Sequence, residues 1–414
     1  MAFPHRPRGG EPEEDLTLNE ITKQFIRENL NADVPTLALK KAPVGTDVSL
    51  ALRQIAARQL LQKKVPQWAE NEDLLFPAHV SIEQCSSESA ARYKVNLLEG
   101  QSFVDLTGGL GIDTYYISQH FQQTDYVERQ VELCDLARHN FDVLHAGIHV
   151  WNETAEAYLE HCEHKDCIFI DPSRRDAHGR KTVSISDCTP DVATLQDVLL
   201  EKANTVLVKL SPMLDINEAL KALRHVKEVH VVAVANECKE LDMVLERDYQ
   251  GEVQLVCVNL STHQPEVRFA LAEERNCPCK MADGVLNYLY EPNPAVMKAG
   301  CFKLLTTRFG VLKLHKNSNL YTSEQLFPDF PGRVFVVEGW ALYNKTAKQS
   351  ILSDVNKASI AVRNFPLSVA ELRKALKIGD GDEVYLFATT LKGERKVIIR
   401  TKKTASGEAV SFGS

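Results

Sequence analysis

The stretch "FVDLTGGLGIDT", Phe103 to Thr114, decides how the chain is read. Short apolar residues end on a carboxylate, Asp105, and Gly108, Gly109 and Gly111 follow before a helical pattern begins. A buried strand that turns through glycines into a helix is the opening unit of a doubly wound fold. Glycines at such a turn let backbone amides approach a ligand closely, and a carboxylate at the strand end can take a cationic amine. The dinucleotide fingerprint G-x-G-x-x-G is not met, because Thr114 stands where the third glycine would be. A glycine turn without any ligand is the plain structural alternative.

Downstream, strands and helices alternate. "TDYVER", "GIHVWN", "CIFIDP", "NTVLVKLSP", "KEVHVVAVAN" and "VQLVCVNL" read as six further strands, with helical stretches such as "VELCDLARHNFDVL" and "INEALKALRH" between most of them. This predicts an α/β, Rossmann-like doubly wound sheet of seven strands. Its last two strands are separated by "ECKELDMVLERDYQGE", which leaves room for an antiparallel edge strand. Glu237 and Glu240 in that segment read as an exposed helix start or a second polar wall.

Upstream the pattern is helical. Thr17 with Glu20 suggests a capping box ahead of a stripe of Ile21, Phe25 and Ile26. Leu52, Ile55, Ala56, Leu60 and Leu61 form another stripe, and "SSESAARYKVNLL" reads as a helix with serine caps. Residues 1–15, rich in Gly, Pro and charge, read as disordered. The expected organisation is a helical region over 1–98, the α/β core over 99–268, and small α+β domains over 269–325 and 326–414.

The chain has 414 residues, 44% apolar and 25% charged, which suits a globular protein. No apolar run is long enough to span a membrane, and the N-terminal stretch has no apolar signal core. Ten scattered cysteines read as reduced thiols of a cytoplasmic protein. A net charge of −8 argues against indiscriminate nucleic-acid binding but allows a local basic patch. "KGERKVIIRTKK", Lys392 to Lys403, carries six basic residues and one acidic one, and reads either as such a patch or as a lysine-protected edge strand. "HCEHKDC" and "CPC" do not have the spacing of a four-ligand zinc site, so no metal is expected.

Three further loops carry polar groups at strand ends. Glu128 lies 23 residues after Asp105, a spacing at which an acid can take both hydroxyls of a ribose. Asn152, Glu153 and Thr154 follow the third strand; they can meet an adenine edge, or Thr154 can simply cap a helix. "IDPSRR" follows the fourth, placing Asp171, Pro172, Arg174 and Arg175 at its mouth.

This order of loops resembles class I S-adenosylmethionine-dependent methyltransferases. It is closest to a bacterial group with a helical N-terminal region, a core carrying "DLTGGLGIDT" and Asp-Pro-x-Arg-Arg, and a ferredoxin-like plus THUMP-like C-terminus. "EQCSSESAARYK", "VKLSPMLDI", "ECKE" and "NFPLSVAELRKALKIGDGDEVYLFAT" are similar to that group as well. The resemblance implies S-adenosyl-L-methionine as cofactor and, through the THUMP-like module, tRNA or rRNA as substrate. It implies that Asp105, Thr107, Gly109, Gly111 and Asp113 surround the methionine part. Glu128 would hold the ribose, with Asn152 and Thr154 near the adenine. Ser86 and Ser87 would close over the cofactor carboxylate.

Methyl transfer from a sulfonium is an in-line displacement with a neutral leaving group, so positioning does most of the work. Asp171 and the carbonyl of Pro172 could orient an exocyclic amine, as in the Asp/Asn-Pro-Pro-aromatic loop of amino-methylating enzymes. Here Ser173 replaces the second proline and Arg174 the aromatic. Arg174 and Arg175 fit a base or phosphate, or a surface pairing with Asp176 or Glu153. Lys209, at the end of the fifth strand, is a substrate contact or a snorkelling lysine. The competing readings are an RNA-binding or assembly protein that keeps the core without turnover, and a nicotinamide oxidoreductase, which the missing glycine disfavours.

Overall fold

A computed structural model describes residues 18–77, 82, 85–173, 185, 188–344 and 350–404. The chain forms two compact units, residues 1–172 with 197–207, and residues 173–196 with 208–414.

In the first unit, β1 (Ser102–Asp105), β2 (Gln123–Val127), β3 (Ile148–Trp151) and β4 (Lys165–Ile170) pair in parallel in the order β3-β2-β1-β4. β1 and β4 are almost continuously buried, as parallel strands covered on both faces must be. Asp105 pairs with Tyr126 on one side and Phe169 on the other. The chain therefore leaves β1 towards β2 and returns on its other side as β4, which puts a topological switch point at the carboxyl end of β1. β5 (Ala203–Leu210) begins in this unit, and its last three residues are counted with the second.

The N-terminal helices share this unit's core. Leu61, Trp68 and Ile82 pack in one cluster with Tyr116, Tyr126 and Phe141. Phe25, Ile55 and Leu75 pack with Leu136 in another. Asn140 seals the junction, since its side chain accepts from Leu75 N and donates to Leu75 O, both at 2.8 Å. Thr17 lies outside the described residues; the cap of the helix Glu20–Glu28 is Asn19, whose Oδ1 accepts from Thr22 N at 2.8 Å. Of the expected stripe, Phe25 and Ile26 are buried and Ile21 is 46% exposed.

In the second unit, β6 (Val226–Val234), β7 (Glu237–Glu246), β8 (Gln254–Leu260) and β9 (Val267–Ala270) run in the order β7-β6-β8-β9. The segment "ECKELDMVLE" is thus a strand, antiparallel to β6, rather than a connection with a helix start at Glu237. Its acids hid it: Glu240 and Asp242 are buried in the strand's apolar half. β8 then returns parallel to β6.

A seven-stranded sheet follows, formed by β10 (Tyr288–Pro292), β11 (Leu312–Lys313), β12 (Tyr321–Ser323), β13 (Gly332–Leu342), β14 (Ser359–Arg363), β15 (Tyr385–Leu391) and β16 (Arg395–Lys403), in the order β11-β12-β10-β13-β16-β15-β14. The basic strand β16 is not at an edge; it lies between β13 and β15. Among the described residues no helix is long and apolar enough to cross a membrane.

Candidate active site

The glycine turn is pinned on both flanks. Leu106 N donates to Phe169 O at 3.0 Å, extending the β1–β4 ladder, and Gly108 N donates to Val127 O at 2.9 Å. A Cβ on Gly108 would lie 2.1 Å from the Tyr126 ring, so only glycine lets the turn lie on that ring. Gly111, at φ +81°, caps the helix Ile112–Ser118 in a left-handed conformation that favours glycine. The Tyr126 hydroxyl donates to Gly109 O at 2.6 Å.

Asp105 lies beneath this turn with 1% of its surface exposed. Its Oδ1 accepts from Thr107 N at 2.9 Å and its Oδ2 from the Thr114 hydroxyl at 2.6 Å. Burial pushes its carboxyl up to about 7, with Asp113 and Asp171 adding to the rise and both hydrogen bonds opposing it. Among the described residues no cationic side chain pairs with it. A buried acid in this state is complementary to a cationic ligand. The other expected groups stand at neighbouring strand ends.

Glu128 follows β2 and is 8% exposed; its Oε2 accepts from Gly109 N at 3.1 Å and its Oε1 from Gln130 N at 2.9 Å. Each oxygen keeps a lone pair for a further donor. Asn152 donates through Nδ2 to Glu128 O at 3.0 Å, holding the two strand ends together. Thr154 Oγ1 accepts from Ala157 N at 3.2 Å and caps the helix Ala155–His161, the plainer of its two readings.

Ser86 and Ser87 divide their work. Ser87 caps the helix Glu88–Val95 by accepting from Ala90 N. Ser86 Oγ donates to Asp113 Oδ2 at 2.7 Å, and the fully buried Lys94 ammonium lies 3.2 Å from Asp113 Oδ1 and 3.4 Å from Ser86 Oγ. Lys94 was missed in the sequence reading. Its signal was its place on the buried face with Ala90 and Ala91, at a spacing where a solvated lysine does not belong.

Asp171 follows β4, and its backbone N–H donates to the Thr107 hydroxyl at 2.7 Å. Pro172 is buried. Ser173 exchanges two backbone hydrogen bonds with Thr189. Arg174 and Arg175 lie outside the described residues. Lys209, the penultimate residue of β5, is only 9% exposed.

The C-terminal basic segment is partly neutralised. Arg400 pairs with Glu338 and Asp354, Lys402 with Glu338, Lys392 with Asp283, and Lys396 with Glu394. These pairings offset part of the segment's positive charge. Positive charge is in excess at Glu291, a buried carboxylate shared by the half-exposed Arg333 and Arg363. All ten cysteines are free thiols, and among the described residues no group of three or more His, Cys, Asp or Glu is placed to hold a metal.

Comparison with known proteins gives the lineage. Residues 288–331 match a ferredoxin-like domain family, and residues 332–403 match a THUMP domain-like family. The crystal structure of a candidate methyltransferase from Porphyromonas gingivalis W83 is 35% identical, with a TM-score of 0.83 over 93% of this chain and 98% of that one. The chain belongs to this methyltransferase family. The family combines a Rossmann-like methyltransferase core with ferredoxin-like and THUMP-like C-terminal domains. A tRNA (uracil-54, C5)-methyltransferase from Pyrococcus abyssi, solved with S-adenosyl-L-homocysteine, is 14% identical over 42% of this chain and 41% of that one. Its TM-score is 0.28. No curated protein matches the chain.

Proposed function

We propose that the chain is an S-adenosylmethionine-dependent methyltransferase acting on RNA, with a tRNA or rRNA base as acceptor. The observation that carries the cofactor reading is Asp105: a buried acid without a cationic partner among the described residues, at the switch point of a parallel sheet, beneath a glycine turn. The α-ammonium of the cofactor's methionine is the cation that fits it. Asp105 would hold that ammonium, the backbone around Thr107, Gly109 and Gly111 would line the methionine part, and Glu128 would take the ribose hydroxyls. Asp113 would act through Ser86, which with Ser87 faces the carboxylate, and Asn152 with Thr154 would border the adenine.

The cofactor supplies an electrophilic methyl group on a sulfonium. The protein's task is then to aim a nucleophile at it and to exclude water. Asp171 and the Pro172 carbonyl are the acceptors proposed to orient it. Arg174, Arg175 and Lys209 are proposed to hold the phosphate or base of the substrate. In this division, residues 99–268 bind the cofactor and perform the chemistry, while 269–325 and 326–414 hold RNA. The free thiols suit a reducing compartment, so the proposed location is the cytoplasm.

Two measurements test this reading. Calorimetry with S-adenosylmethionine should give one site per chain, and a folded protein that does not bind would overturn the cofactor reading; binding of NADH in its place would favour an oxidoreductase, and binding of neither an RNA-binding or assembly protein without turnover. Nucleoside mass spectrometry of tRNA and rRNA from cells with and without the gene should reveal one missing methylated nucleoside. Identical profiles would move the acceptor away from RNA.

A further inference from the structure

Thr107 stands between the two halves of the proposed site. Its backbone N–H donates to Asp105 Oδ1 at 2.9 Å, and its hydroxyl oxygen accepts from the backbone N–H of Asp171 at 2.7 Å. The same hydroxyl lies 3.5 Å from Asp105 Oδ1, at the outer limit of a hydrogen bond. A threonine hydroxyl has one proton and two lone pairs. One lone pair holds Asp171, and the proton faces the Asp105 carboxylate.

The ladder between β1 and β4 reaches Leu106 N with Phe169 O. Thr107 is the next residue, and its contact to Asp171 is made by a side chain instead of the backbone. Pro172 has no N–H, and a residue before proline is confined to extended conformations. The Asp171 amide is thus a handle on the Asp-Pro turn. Hydrogen bonds in series polarise one another, so a hydroxyl that donates to a carboxylate accepts more strongly.

Resting on the cofactor reading above, we propose that Thr107 is a positioning residue that couples occupancy at Asp105 to the placement of Asp171. When a cationic amine pairs with Asp105, the Thr107 hydroxyl donates fully to Oδ1 and grips the Asp171 amide more tightly. The Asp-Pro turn is then fixed only when the methyl donor is in place. Without the donor, the long 3.5 Å contact leaves that grip weaker.

Amide hydrogen exchange tests this without knowledge of the acceptor. The probe is S-adenosylhomocysteine, held at saturation for every variant so that affinity changes do not enter. In the wild-type protein, exchange at Asp171 should slow by about five- to tenfold on binding, the size expected from strengthening one hydrogen bond. Thr107→Val should lose that slowing, and Thr107→Ser should restore it. A merely structural role would speed exchange of Thr107→Val equally with and without the probe, and would also move Phe169 and Ile170. That result overturns the proposal, as does a wild-type protein that binds the probe with no change at Asp171. A folded wild-type protein that does not bind the probe overturns the cofactor reading, and this proposal with it.

Discussion

The Thr114 hydroxyl donates to Asp105 Oδ2 at 2.6 Å, across the glycine turn that separates the two residues in sequence. Thr114 is the position at which a dinucleotide-binding turn would carry its third glycine. Here that position supplies a donor that favours the ionised acid, against the burial that opposes it. Thr114→Val keeps the shape and removes the donor. A charge-assisted hydrogen bond is worth about 1.5–3 kcal/mol, so S-adenosylmethionine affinity at neutral pH should fall roughly tenfold or more. Calorimetry on the variant checks this, and unchanged affinity would show that the threonine only fills space.

Asp105 makes binding and stability respond to pH in opposite directions. Its folded carboxyl sits at about 7, above the ordinary value of 3.8. The folded protein therefore holds the proton where the unfolded chain has lost it. The associated stability is complete below the unfolded value and is lost as pH rises to about 7. Ligand-free protein should lose stability over that range, and Asp105→Asn should flatten the dependence. An ammonium ligand prefers the ionised acid, so affinity should rise from pH 6 to 8 with release of a proton. Calorimetry in buffers of different ionisation enthalpy measures that proton directly.

Gly108→Ala tests the packing of the turn. The added carbon would stand 2.1 Å from the Tyr126 ring, whose neighbours are core residues with little freedom to move. Overpacking of this kind costs typically about 1–3 kcal/mol. The melting temperature should drop by several degrees and cofactor binding should weaken with it. An alanine variant as stable as wild type would mean that the turn can lift from the ring.

Lys94→Met should destabilise far more than a surface lysine substitution. It leaves Asp113 buried beside an apolar side chain, a change that costs about 3–5 kcal/mol when one partner of a buried pair is removed. The double variant Lys94→Met with Asp113→Asn should recover part of that loss. Denaturant unfolding of the single and double variants gives the coupling, and additive losses would show that the pair is not a unit.

What could be read from the chain alone follows from the range of the forces involved. β1, its glycine turn and the parallel strands after it are set by local patterns, an apolar run closed by glycines, and they form as expected. Glu128 and Asp171 lie directly after β2 and β4 as expected, because a strand's carboxyl end fixes where its next residue lies. The bonds from Thr114 to Asp105 and from Asp171 to Thr107 depend on how a turn folds back in three dimensions, and no spacing rule announces them. Lys94 was hidden because a lysine on a helix is ordinarily solvated. β16 is an interior strand, hidden for a related reason: its basic residues suggest a basic patch or a lysine-protected edge strand, but the acidic partners of Arg400, Glu338 and Asp354, come from distant parts of the sequence. β7 was obscured by its own acids.

The shared core of the N-terminal helices bears on how this gene can be cut. Trp68 and Ile82 pack with Tyr126, the ring on which the glycine turn rests, and Phe25 packs in the cluster that holds Leu136. An expression clone started at residue 99, where the alternating pattern begins, would strip apolar cover from both clusters and remove Lys94. Its product should collect in inclusion bodies, whereas a clone that retains the helix Glu20–Glu28 keeps the turn's support intact. The helical segment is therefore part of the smallest fragment worth crystallising with a cofactor.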